Sequence, residues 1–213
     1  MKNLAKFTLI LFVFSACQSA KDAAQEGINS ALEEAIESQT GQEVDLAKVD
    51  SYLDQKVEVS LEFDGKEQIE DKQAFRGSII AQKSAEDLNV SFQIVNESGT
   101  SVMGVISNFN TNFSLPLEAK FAVSNAKTEG VPSASLVFMK ISETGMQATP
   151  MPFEGTMRIL KLNEDIAEFE IDAKGGLPQD TENSNAWKSI KGKVSITSPP
   201  IQCLGLKKEE IIK

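Results

Sequence analysis

The sequence predicts a mainly β protein: an antiparallel sandwich or barrel of about eight or nine short strands, preceded by an N-terminal amphipathic helix. Three observations lead there. From residue 56 onward apolar and polar residues alternate with a period of two, as in VEVSLEF (57–63), LNVSFQI (88–94) and AEFEIDA (167–173). That is the pattern of a sheet with one dry and one wet face. The breaks between the runs are hairpin-sized, among them DG at 64–65, NESG at 96–99 and NED at 163–165. No helical period is interleaved with the strands, which disfavours a parallel sheet of strand–helix–strand units.

The first segment stands apart from this pattern. Lys2 and Lys6 give a positive start, and residues 7–16 are mostly apolar and carry no charge. A run of this length is too short to span a bilayer. A basic start, a short apolar run and small residues at its end make the layout of a secretory signal peptide, so residues 1–16 are expected to take no part in the fold.

Residues 14–17 read Phe-Ser-Ala-Cys. This order is similar to the lipobox of bacterial lipoproteins, with Phe14 standing where that family usually has Leu. The resemblance covers residues 1 to about 20 and implies that Cys17 is the new N-terminus and carries lipid on its thiol. The partner it implies is the membrane, reached through that lipid. An ordinary signal cut after Ala16, with Cys17 a bystander, is the other reading of the same residues. Gln18 after the cysteine resembles lipoproteins placed in a bacterial outer membrane, facing the periplasm or the cell surface. Lys21-Asp22 resembles the export signals of Bacteroidota-type lipoproteins.

Residues 17–55 are expected to hold the lipidated cysteine, a spacer helix and a linker. Ile28, Ala31, Leu32, Ala35 and Ile36 recur at helical spacing and make one narrow apolar stripe, opposite Glu26, Glu33, Glu34 and Glu37. Gly41 stands where such a helix would stop. The acidic polar face argues against a helix lying flat on lipid, since surface-seeking helices are usually basic.

The β domain is expected over residues 56–206. After VEVSLEF, the DG pair supplies a tight hairpin turn. Phe75, Gly77, Ile79 and Ala81 predict the next strand, Leu88 to Ile94 a third, and Val102 to Ile106 a fourth. Leu117, Ala119, Phe121 and Val123 share one face of a fifth, and a sixth covers 133–142. Residues 153–162, 167–173 and 190–196 complete the set. The spacing Phe153-x-Gly155-x-Met157-x-Ile159, then Ala167-x-Phe169-x-Ile171, then Ile190-x-Gly192-x-Val194 resembles C-terminal hairpins of Bacteroidota-type envelope lipoproteins, a resemblance that implies no activity. Residues 207–213 read as a polar tail.

Charge and composition narrow the chemistry. The chain has 21 basic and 31 acidic residues, and removal of residues 1–16 would take away Lys2 and Lys6, leaving a formal charge of −12. Such a body repels phosphate backbones, so a nucleic-acid partner is excluded. There is no histidine, which removes Ser-His-Asp and Cys-His nucleophile systems and His-containing zinc sites. Of the two cysteines, Cys203 would be left without a partner once Cys17 is acylated, and its neighbours Ile201 and Leu204 predict a buried, inert thiol.

Carboxylates are the remaining chemistry. Glu168, Glu170 and Asp172 lie two apart on the wet side of one strand, and Asp180 and Glu182 follow in a loop. A glycosidase needs two such groups about 5–10 Å apart across a cleft and usually aromatic platforms, for which only Tyr52 and Trp187 qualify. Residues 180–185 (DTENSN) offer oxygen ligands without the spacing of a calcium loop. A solvated acidic face is the simpler reading, with Trp187 a core lid and no metal or other cofactor expected. The expected role is therefore a non-enzymatic, lipid-anchored module that binds a protein or an apolar ligand. The alternative is a carboxylate-dependent hydrolase of envelope glycans.

Overall fold

A computed structural model describes residues 33, 34, 37, 38, 41, 44, 45, 47, 55–69, 74–84, 87–109, 113–122, 131–142, 145–147 and 149–212. The signal segment, Cys17, the apolar stripe from Ile28 to Ile36, and Tyr52 lie outside the described residues. Of the expected helix, Glu33, Glu34, Glu37 and Ser38 are described, all of them helical. The Gly41 N–H donates to the Glu37 carbonyl at 2.7 Å.

Thirteen strands are described: β1 (Val44–Asp45), β2 (Lys56–Phe63), β3 (Lys66–Glu67), β4 (Arg76–Ser84), β5 (Asp87–Val95), β6 (Ser101–Phe109), β7 (Leu117–Ala122), β8 (Ser133–Ser142), β9 (Gly145–Gln147), β10 (Met151–Leu162), β11 (Ile166–Gly176), β12 (Lys188–Thr197) and β13 (Ile201–Leu204). The mainly β class is as expected, but the strand count is not. The nine expected runs are present as β2, β4 to β8 and β10 to β12. The others are two to four residues long, too short to show a period.

All but β9 lie in one continuous open sheet, in the order β1-β13-β4-β5-β6-β8-β7-β10-β11-β12-β2-β3. It is not purely antiparallel: β13 runs parallel to β4 and β7 parallel to β8. Alternation reports which face a side chain takes, not which strand lies beside it. β7 and β8 follow one another in the chain, and their parallel pairing, Lys120 with Ser133 and Phe121 with Ala134, leaves no trace in the alternation.

The sheet curls so that its two halves face each other. Phe92 of β5 and Phe169 of β11 stand five places apart in the strand order, yet their ring centroids are 4.6 Å apart. In a flat sheet the same strands would be about 24 Å apart. Gly104 of β6 shows how closely the inner face is filled: a Cβ there would overlap the Phe92 ring and meet the Met157 sulfur of β10. The core joins Ile79, Ile94 and Ile106 from the first half to Ile159, Ile171 and Ile196 from the second. Burying each large apolar side chain stabilises the fold by about 1.5–3 kcal/mol.

Connections complete this core. Asp64 and Gly65 both have positive φ, 53° and 72°, as a two-residue hairpin between β2 and β3 requires. Ile69 and Phe75, between β3 and β4, join the same buried cluster, as does Phe113 ahead of β7. The expected polar tail is packed: residues Lys208–Glu210 form a 3-10 turn, and Leu206 and Ile211 belong to the core. Lys208 pairs with Glu164 at 2.9 Å, and Lys83 with Glu210 at 3.6 Å. The Lys207 N–H donated to Glu210 holds that carboxyl below its ordinary value, with Lys83 adding to the effect. This contribution is present above the ordinary carboxylate pKa and is lost as the pH falls through the lowered one.

Ile211 is 0% exposed, so Ile211→Ala should lower the unfolding free energy by about 2–5 kcal/mol in urea titration. A loss below about 0.5 kcal/mol, the size of an ordinary surface substitution, would show that the segment trails in solvent.

Candidate functional site

The acids singled out from sequence sit on the outer face of β11, because Ala167, Phe169 and Ile171 between them are buried in the core. The register sets a basic or hydroxyl residue beside each. Glu168 lies opposite Lys161 of β10 and Ser195 of β12. Glu170 lies between Arg158 and Lys193, and Asp172 between Thr156 and Lys191. Lys161 approaches Glu168 to 3.3 Å. Arg158 reaches Glu170 at 3.2 Å and Glu118 of β7 at 4.0 Å. Lys191 in turn faces Glu62 of β2.

The result is a ladder of alternating charge across β7, β10, β11, β12 and β2, in which directly opposed charged residues have opposite signs. Each exposed pair contributes about 0–1 kcal/mol. Chemically the arrangement neutralises acids along a solvated surface; it does not bring two carboxyls together across a groove.

Asp180 and Trp187 belong to a structured loop. The Asp180 carboxylate accepts the Leu177 N–H at 3.0 Å, and its carbonyl accepts the Trp187 indole N–H at 2.8 Å. The indole, half-buried, packs on Phe153 with ring centroids 5.4 Å apart. Trp187 is thus a lid over the β10–β11 end with its polar edge already satisfied. Glu182 and Ser184 to Asn185 are exposed. Among the described residues no group of three or more Asp, Glu, His or Cys is placed to hold a metal ion.

Cys203 is buried in β13, beside Asp45 of β1 in register. Burial pushes its thiol from 9.0 up to about 12, and the Asp45 carboxylate adds to the shift. The thiolate that nucleophilic chemistry needs is therefore suppressed.

One concave feature escaped the sequence reading. Glu33, Glu37, Val44, Asp45, Leu206, Lys207 and Glu209 line a cleft of about 290 Å³. Glu37 is tied into it, since its Oε1 accepts the Val44 N–H at 3.0 Å. The residues come from opposite ends of the chain, so no local motif announces the cleft. Comparison with protein-family models, curated proteins and solved structures finds no match to this chain.

In a chain carrying Cys17→Ser, Cys203 should react with iodoacetamide at pH 8 roughly a hundredfold more slowly when folded than in urea. Its unfolded thiol ionises near 9.0 and its folded thiol near 12, so the stability it contributes is complete below pH 9 and falls away as the pH rises toward 12. Cys203→Ala should flatten that alkaline decline. Equal reactivity in both states would mean that β13 leaves its place.

Proposed function

We propose that this chain is a lipid-anchored protein of a bacterial outer membrane, held through Cys17, whose β body has a non-enzymatic binding or structural role. The observation that carries the reading is the order Phe14-Ser15-Ala16-Cys17 behind a short uncharged apolar run. Two or three acyl chains hold a protein on a membrane nearly permanently, at about 0.8 kcal/mol per buried methylene. The body then faces the periplasm or the cell surface.

A helix between the anchor and β1 is part of the same proposal. The helical residues Glu33, Glu34, Glu37 and Ser38 and the Glu37 bonds to Gly41 and Val44 support it, because they join that segment to the sheet edge. The non-enzymatic role is supported by the placement of Glu168, Glu170 and Asp172 in the charge ladder and by the suppressed Cys203 thiolate. The partner it suits is another protein or an apolar ligand.

Cys17→Ser should abolish labelling of the protein by a clickable fatty acid and move it from the membrane fraction to the soluble one. Labelling that survives the substitution would overturn the anchor.

A further inference from the structure

The outer side of the sheet is open at one end of the strand order and covered at the other. On β2 the outward positions Lys56, Glu58, Ser60 and Glu62 are all exposed. On β13 and β4, Cys203 and Ala81 are partners in register and face the core, so Gln202, Leu204 and Ile80 point outward. Val44 of β1 lies opposite Leu204 and takes the same side. Yet Val44 is 5% exposed and Gln202 8%, with Leu204 and Ile80 half-buried. A sheet does not by itself shield an outward side chain on its two-residue edge strand. Nor does the core shield it: among the described residues, Val44 is buried without belonging to the cluster that takes in Cys203 and Leu206.

We infer that the cover is this chain's own N-terminal apolar stripe, Ile28, Ala31, Leu32, Ala35 and Ile36, packed as a helix on Val44, Leu204 and Ile80. These three make an apolar patch across β1, β13 and β4, which ends at the polar Asn89, Ser91 and Gln93 of β5. The described helical residues stand at its margin. The Glu37 Oε1 that accepts the Val44 N–H closes a step of seven residues, and Glu33 and Glu37 line one cleft with Val44. Residues four apart share a helix row, so Leu32 and Ile36 form the row next to Glu33 and Glu37, turned by about 100°. With the glutamate row held at the β1 edge, the apolar row lies beside Val44. A membrane surface or a second copy suits the place less, because Glu33, Glu37, Asp45 and Glu209 border it and repel anionic headgroups or the same acids.

A helix here supplies what β1 lacks. It gives the outward apolar residues a second layer to pack on, and it shields an edge whose free backbone groups would otherwise invite another strand. The packing rests on the helix in the reading above and not on lipid at Cys17. Where that lipid is present, residues 18–27 link membrane to body, a reach of at most about 40 Å when extended. The side of β1 and β13 is then the one held toward the anchor.

Paired cysteines test the packing in the chain from residue 17 on, carrying Cys17→Ser and Cys203→Ala. A bismaleimide reaching roughly 10 Å, the spacing of packed layers, should join Leu32→Cys to Leu204→Cys within one chain at least tenfold faster than Glu34→Cys to Leu204→Cys. Glu34 lies on the far side of the helix from the stripe. In a separate chain, Val44→Cys should react with iodoacetamide at least tenfold faster once Leu32→Glu and Ile36→Glu are added, with the emission of Trp187 unchanged. Equal rates for the two cysteine pairs would overturn the inference. So would links that form only between chains, the sign of a second copy, or a Val44→Cys thiol equally protected with and without the two glutamates. Fatty-acid labelling at Cys17 is a separate readout, so failure here leaves the anchor reading intact.

Discussion

Three residues, Ser198 to Pro200, join β12 to β13, and their short reach constrains the whole sheet. The two strands stand eight places apart in the strand order, a distance of about 38 Å if the sheet were flat. The link spans about 14 Å at full extension. The sheet must therefore curl until its two ends approach. Hydrogen bonds hold the link to both halves: the Ser198 N–H donates to the Asp165 carbonyl in the β10–β11 turn at 2.8 Å, and the Pro200 carbonyl accepts the Ile79 N–H of β4 at 2.9 Å. Pro199 and Pro200 have no N–H to offer a ladder, so the segment makes a corner rather than extending β12.

Once the sheet curls, its inner face has no access to water and must be filled. Phe92 against Phe169, and Gly104 making room for Phe92 and Met157, show how the halves interlock. The polar side chains of the strands are left to the outer surface. On that surface the second half balances acids against bases strand by strand, while β5, β6 and β8 present serine, methionine and valine. The outward positions of β5 from Asn89, of β6 and of β8 to Met139 thus carry no charge among the described residues.

Much of this was legible in the sequence, and the limits have physical causes. Alternation identified the nine longer strands and put Glu168, Glu170 and Asp172 on the wet side, because inside and outside follow directly from a period of two. The Asp64-Gly65 turn was readable from the positive φ it demands. Cys203 could be placed inside from its apolar neighbours. The partners of the acids could not be found, since Lys161, Arg158 and Lys193 become neighbours only through register. The parallel β4–β13 and β7–β8 pairs were hidden for the same reason. Ile211 was missed because it follows Lys207, Lys208, Glu209 and Glu210, a charged run that reads as a solvated tail. Cys17 remains a reading of the sequence, since it lies outside the described residues.

The curl is the central claim, and nuclear Overhauser spectroscopy between the rings of Phe92 and Phe169 tests it most directly. With centroids 4.6 Å apart, the folded chain should show a strong ring-to-ring cross-peak that vanishes in Phe169→Leu. A folded chain without that cross-peak, as strands about 24 Å apart in a flat sheet would give, contradicts the account.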